Sequence, residues 1–322
     1  VLIQVVAVHH GKGHGQHPAG RIPFLRLSRF RYPGRTLLAQ DGQQTLLPQR
    51  QSSNDHPQSH QNDGQTPVWG GKPFSNTPLQ VDVTFVMVSN HQSKNTSANH
   101  LNKFYVRFQD VKDQNFDGFI ITGAPIEQIP FEEVDYWEEM KEIMEWTKTH
   151  VTSTIYLCWG AQAAYYYHFG IDKYPLKKKL FGVFRHRVMN RRIPLVRGFD
   201  DVFYAPHSRH TQIDPAKIKA CEDLMVLAES DEAGVFLAMT KGGRQIFVMG
   251  HPEYDRMTLD EEYKRDKSKG LPIEIPCNYY PDDNPENRPL LTWRSNANNL
   301  YTNWLNYYVY QITPYDLVGT PF

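Results

Sequence analysis

Residues 153–170, "STIYLCWGAQAAYYYHFG", constrain the fold more than any other part of the chain. The first half is β-branched and aromatic, as a buried strand requires. The second half is rich in alanine and tyrosine and closes on Gly170, as a short helix does. An amphipathic helix comes before it: "VDYWEEMKEIMEWTKTHV" spaces Trp137, Met140, Ile143, Met144 and Thr147 at helical intervals, with charges between them. Two earlier stretches, "LQVDVTFVMV" (79–88) and "DGFIITGAP" (117–125), read as buried strands. This βαβα order predicts a parallel sheet with helices on both faces. In such sheets ligands bind outside the carboxyl ends of the strands.

The later chain adds two elements. "GVFLAMTKGGRQIFVMG" (234–250) predicts a hairpin about Gly242 and Gly243. "NNLYTNWLNYYVYQITPY" sets Leu300, Trp304, Leu305, Tyr308 and Ile312 at helical spacing, a stripe that reads as helix core.

Composition excludes several classes of function. Lys plus Arg number 35 and Asp plus Glu number 35, so the chain has no bulk attraction for nucleic acid or anionic lipid. No run approaches the roughly 18 apolar residues of a membrane span. The three cysteines, Cys158, Cys221 and Cys277, are odd in number and lack metal-knuckle spacing. They predict free thiols in a reducing, cytoplasmic setting, with no metal site. Residues 1–75 differ from the rest: they contain no glutamate and are rich in Gln, His, Gly, Pro and Arg. They predict a disordered or poorly packed segment in which "VLIQVVAV" is the only strand-like piece. The cluster His9, His10, His14 and His17 reads as a solvated tail, with adventitious metal binding as the alternative. "GKGHG" lacks the flanking strand and helix of a phosphate loop.

Cys158 sits where the strand meets the helix. At such a turn the first helical amides and the positive helix end face the side chain, which favours a thiolate and can hold an oxyanion. The alternative is a small buried hydrophobe, the commonest fate of a free cysteine. A second stretch bears on the choice. "QIFVMGHPEYD" (245–255) is another strand with a polar exit, and His251 and Glu253 stand two apart. If that exit is extended, both face one way, and Cys158, His251 and Glu253 can form nucleophile, base and orienter. A capped loop is the competing reading of His-Pro-Glu.

The order "LCWGAQ" then "GHPE" resembles the glutamine-amidotransferase-like, flavodoxin-like group. Closer still, the chain from about residue 75 to 315 resembles the homoserine O-acyltransferases of methionine biosynthesis. The matching stretches are "SNTPLQVDV", "FDGFIITGAP", "HVTSTIYLCWGAQAA", "RGFDDVFYAPHSR", "GHPEYD" and "TNWLNYYVYQITPYDL". The resemblance implies a ping-pong reaction without a bound cofactor. Cys158 takes an acyl group from acyl-CoA as a thioester, His251 deprotonates the γ-hydroxyl of L-homoserine, and Glu253 orients His251. The Trp159 amide is the implied oxyanion donor. Lys179 and Ser208 match substrate-binding positions, and Arg265 matches the arginine for the amino-acid carboxylate, a job its fork suits. Glu127, in "GAPIEQIPF", matches the position tied to acyl choice, where glutamate goes with acetyl and glycine with succinyl. The charge agrees, since a pocket carboxylate repels the terminal carboxylate of a succinyl group. Acetyl-CoA is thus the implied donor, with succinyl-CoA as the alternative, and a homodimer is implied. A hydrolase or amidotransferase is the reading from another class, although Leu157-Cys158-Trp159-Gly160 lacks the first glycine of its usual Gly-x-Cys-x-Gly elbow.

The first 75 residues do not resemble the family. They read as an atypical N-terminal segment, like out-of-frame translation of a gene start, ahead of a catalytic domain over 76–322. They predict an absent first strand, an exposed sheet edge and, as a further reading, an inactive remnant.

Overall fold

The computed structural model describes residues 5–9, 77, 79, 81–88 and 105–313. Among these, ten strands form one sheet: β1 (Val5–His9), β2 (Asp82–Met87), β3 (Tyr105–Arg107), β4 (Phe116–Ile121), β5 (Val151–Leu157), β6 (Lys173–Val188), β7 (Val202–Ile213), β8 (Leu224–Ser230), β9 (Gly234–Thr240) and β10 (Gln245–Val248). Their order across the sheet is β3-β2-β1-β4-β5-β10-β9-β8-β6-β7. The expected parallel centre is present, with β4 pairing β5 and β5 pairing β10 in parallel. From β10 outward through β9, β8, β6 and β7 every pairing is antiparallel, so the sheet as a whole is mixed. The cause is local. Short connections such as the turn at Gly242 and Gly243 can only return a strand antiparallel, whereas a parallel neighbour needs a crossover.

The gap expected at the first strand is filled. β1 lies between β2 and β4, antiparallel to both. The rest of the 1–75 segment, with His10, His14 and His17, lies outside the described residues.

The described helices are α1 (Phe108–Val111), α2 (Trp137–His150), α3 (Trp159–Phe169), α4 (Pro215–Ala220), α5 (Thr258–Ser268) and α6 (Arg294–Trp304), the last continuing as a π-helical turn (Leu305–Tyr310). Side chains alternate along the central strands. Phe119, Ile121 and Tyr156 join one core layer with Met140, Ile143 and Met144 of α2. Ile120, Ile155 and Leu157 join the other with Leu300 and Trp304 of α6. Both faces are therefore covered, which is why these strands read as almost continuous apolar runs. Each fully buried Leu or Ile contributes roughly 1.5–3 kcal/mol. A third cluster seats α5 on β6 through Leu259, Tyr263, Phe181 and Val183. No helix among the described residues is long and apolar enough to cross a membrane.

Candidate active site

β5 ends at Leu157 and α3 begins at Trp159, so Cys158 alone makes the turn. Its φ of 49° and ψ of −113° lie where an L-residue is strained by about 1–3 kcal/mol. Two backbone bonds hold it there: its N–H donates to Val248 O at 2.8 Å, and its carbonyl accepts from Gln162 N at 3.0 Å. Two glycines make room for the turn. A Cβ on Gly160 would stand 2.7 Å from Ile121 O, so α3 can lie this close to β4 only without one. A Cβ on Gly123 would stand 3.2 Å from Cys158 Cβ and 3.5 Å from Trp159 N. Glycine there leaves open the space beside the sulfur and the first helical amide. The amides of that first turn have no intrahelical acceptor and lie at the positive end of the helix dipole.

The parallel pairing of β10 with β5 sets the second group beside the first. Past Val248 the chain runs to His251, whose N–H donates to Pro206 O at 2.8 Å. Tyr254 N then donates to His251 O at 3.1 Å and closes a turn with Pro252 second, where its fixed φ fits. The segment is thus a turn, and not the extended exit that the two-residue spacing suggested. The turn itself folds Glu253 back, and His251 Nδ1 lies 2.8 Å from Glu253 Oε1. Cys158 is hydrogen-bonded to the same imidazole, which leaves Nε2 for the sulfur. Burial opposes a charge on His251, but a negative Cys158 and Glu253 outweigh it and hold the imidazole well above its usual 6.5. The Tyr254 ring stacks on His251 with centroids 4.2 Å apart.

Next to this triad lies a polar group centred on Glu262 of α5. Its Oε1 accepts from Tyr254 OH at 2.8 Å and its Oε2 from Ser208 Oγ at 2.6 Å. Lys179 Nζ stands 3.5 Å from Glu262 Oε2 and 3.6 Å from Asp266 Oδ2. Arg265 Nε donates to Asp266 Oδ1 at 2.7 Å, while its side chain remains 54% exposed and so able to take a ligand. Lys179, at 15% exposed, is held largely out of solvent between these two carboxylates. Tyr254 is pushed well above its usual 10 by burial and by the Glu262 carboxylate, so its hydroxyl stays a donor.

The loop after β4 reaches β7. Glu127 Oε1 accepts from His210 N at 3.3 Å, and Lys173 Nζ donates to Ile129 O at 2.6 Å. These contacts reveal the organising part of β7. Pro206 O holds His251, Ser208 holds Glu262, and the His210 amide holds Glu127. Alternating with them, His207, Arg209 and Thr211 are buried.

A family model described as "Homoserine O-succinyltransferase" matches residues 71–315. The chain belongs to that family. A Lachnospira eligens protein named homoserine O-acetyltransferase is 65% identical over 244 residues, covering 76% of this chain and 79% of that protein. A Lachnoclostridium phytofermentans protein of the same name is 64% identical over 76% of this chain and 81% of that one. Among solved structures, a glutamine amidotransferase of Thermotoga maritima aligns at a TM-score of 0.42 and 14% identity, over 66% of this chain and 89% of that one.

All the site residues read from the sequence fall within this one region of the family fold. Cys158, His251 and Glu253 make one array, and Trp159 supplies the first amide of α3. Lys179 and Ser208 meet Glu262 of α5, Arg265 lies on the same helix beside Asp266, and Glu127 meets the His210 amide of β7. Sequence reasoning missed Glu262, Tyr254 and Arg209. A signal for Glu262 was present, since Glu262 and Asp266 are four apart and share a helical face with Arg265 adjacent. Arg209 was hidden because the period of two in β7 places polar residues inward.

Proposed function

We propose that the chain transfers an acetyl group from acetyl-CoA to the γ-hydroxyl of L-homoserine, giving O-acetyl-L-homoserine and CoA through a thioester on Cys158, as a step of methionine biosynthesis. The observation that carries this reading is the hydrogen-bonded Cys158–His251–Glu253 array on the strained turn after β5, in a chain 65% identical to a protein named homoserine O-acetyltransferase.

The steps of this reading use the array as it stands. The Cys158 sulfur adds to the thioester carbonyl of acetyl-CoA. The oxyanion is held at the start of α3, with the Trp159 amide as one donor. CoA leaves as a thiolate and takes the proton from the His251 imidazolium. The γ-hydroxyl of L-homoserine then gives its proton to His251 Nε2 as its oxygen attacks the acetyl-thioester. Collapse forms the ester and returns the Cys158 thiolate. Glu253 keeps Nδ1 protonated, so Nε2 is free to move the proton. Arg265 binds the amino-acid carboxylate, and Lys179 and Ser208 line the same pocket. No bound cofactor or metal is required, and acetyl-CoA is a co-substrate. A reducing cytoplasm suits the free nucleophilic thiol. A homodimer belongs to the same reading, and sedimentation velocity reads it directly.

Succinyl transfer is the second reading, because the family model carries that name. Glu127 favours acetyl, since its carboxylate would face the succinyl carboxylate. Purified protein with L-homoserine and either acetyl-CoA or succinyl-CoA, read by free CoA thiol and product mass, separates the two. The expected product is O-acetylhomoserine, absent with Cys158→Ser. No turnover by folded protein with either donor would sink both readings.

A further inference from the structure

Tyr254 meets a group of the site at each end of its side chain. Its ring lies on the His251 imidazole, with centroids 4.2 Å apart and 19° between the planes. Its hydroxyl donates to Glu262 Oε1 at 2.8 Å. The other oxygen, Glu262 Oε2, accepts from Ser208 Oγ at 2.6 Å and stands 3.5 Å from Lys179 Nζ. One rigid side chain thus runs from the imidazole to the carboxylate that Ser208 and Lys179 share.

The backbone holds this bridge from both sides. Tyr254 N donates to His251 O at 3.1 Å, which keeps the two rings on one turn. Trp293 Nε1 donates to Tyr254 O at 2.9 Å. Trp293 is buried in the same apolar cluster that seats α5 on β6 through Leu259 and Tyr263. The ring and its anchor on α5 are therefore set by one packed unit.

The imidazole gains a constraint that its polar bonds do not give. Glu253 Oε1 takes Nδ1 and Cys158 takes the other nitrogen. Hydrogen bonds tolerate wide misalignment, so two of them leave the tilt of the ring loosely set. A flat aromatic ring against its face resists that tilt, and it also favours a positive charge on the imidazole. Phenylalanine would supply the same face. The hydroxyl adds the tie to Glu262, and a phenol beside a carboxylate acts as donor.

We propose that Tyr254 is a positioning residue of the proposed acetyl transfer: its ring sets the plane of the His251 imidazole, and its hydroxyl ties that plane to Glu262 and so to Ser208 and Lys179. It acts through His251, and the inference rests on the reading of His251 as the base and of Ser208 and Lys179 as groups that bind L-homoserine. The two half-reactions then depend on it differently. Acetylation of Cys158 needs the imidazole held flat. Transfer to L-homoserine also needs the imidazole in register with the bound acceptor.

The test compares Tyr254→Phe, which keeps the ring, with Tyr254→Leu, which removes it, both in the full chain with thermal melting alongside. The burst of free CoA thiol with acetyl-CoA alone reads acetylation of Cys158. Product formed after L-homoserine is added reads the transfer. Tyr254→Phe should acetylate within about threefold of wild type and transfer about tenfold more slowly, the worth of one hydrogen bond to a charged group. Tyr254→Leu should be slower in both steps, by about 100-fold in the second, as lost orientation of reacting groups is. Wild-type transfer by Tyr254→Phe would overturn the proposal and leave the tyrosine as packing, and this variant decides even if Tyr254→Leu does not fold. Equal slowing of both steps in Tyr254→Phe would overturn it too, because the hydroxyl would then serve the array as a whole. A wild type that never acetylates Cys158 would remove the acetyl-transfer reading and this inference with it. An active wild type matched by Tyr254→Phe would remove the inference alone.

Discussion

His251 Nδ1 and Glu253 Oε1 stand 2.8 Å apart across a single proline, inside a turn that Tyr254 N closes on His251 O. The carboxylate fixes the tautomer of the imidazole from one side while the sulfur occupies the other. Glu253→Gln should therefore leave the fold intact and lower kcat roughly 100-fold, the range for a mis-set acid–base group. A kcat within threefold of wild type would mean that Glu253 is not the orienter.

The same pair makes stability depend on pH. The folded-state pKa of His251 is raised well above the value of about 6.5 expected for the unfolded chain. A raised histidine stabilises the fold fully below the unfolded value, and the contribution is lost as pH rises through the folded one. Wild-type Tm should accordingly fall on the alkaline side. In Glu253→Gln that fall should start at lower pH. Melting curves across pH check it, and coincident curves for the two proteins would rule it out.

Gly123 borders the open space beside Cys158. Gly123→Ala should fold, since the nearest atoms at 3.2 and 3.5 Å need give by only a few tenths of an ångström. The methyl would nonetheless occupy the approach to sulfur and to the Trp159 amide. Turnover should drop by about 100-fold or more, as sub-ångström misplacement of reacting atoms does, and iodoacetamide labelling should slow in parallel. Normal labelling with lost turnover would place the effect elsewhere.

Glu127 should govern donor choice through charge. Glu127→Gly removes the carboxylate and opens volume, and should raise the succinyl-CoA to acetyl-CoA ratio of kcat/KM by about tenfold or more. Glu127→Gln keeps the volume and should give an intermediate ratio. If neither variant moves the ratio, the residue lies outside the acyl pocket.

Arg265 should act on the acceptor alone. Arg265→Ala should raise KM for L-homoserine by about 30-fold, the equivalent of roughly 2 kcal/mol for a charge-assisted hydrogen bond, with KM for acetyl-CoA unchanged. Equal changes in both constants would point to a general disturbance of α5.

The central strands and α2 were legible because two-sided burial and helical periodicity leave strong apolar patterns, from Phe119 through Trp137 and Ile155. The placing of Cys158, His251 and Glu253 in one array was legible because a cysteine at a strand–helix junction and a histidine two residues from a glutamate have few chemical uses. β7 was illegible for a physical reason: at His207, Arg209 and Thr211 the buried face is polar and hydrogen-bonded to its neighbours, so hydropathy reports surface where the chain has core. Glu262 was missed because α5 carries few apolar residues, and its position follows only from Leu259 and Tyr263 packing on β6. The strand at Val5–His9 stood out as apolar, but its place between β2 and β4 is a matter of topology that no local pattern encodes.

β7 alternates between two jobs along one backbone. Ser208 and the His210 amide meet Glu262 and Glu127, while His207, Arg209 and Thr211 bond to His186, Met249 O and Gln162 in the interior. Because successive side chains leave a strand on opposite sides, the two sets are mechanically separate though covalently adjacent. A substitution at 208 can change the bond to Glu262 and leave the buried face of the strand as it is, whereas a one-residue insertion would exchange the two sets and disable both. The strand thus makes the site open to point substitution and intolerant of slippage.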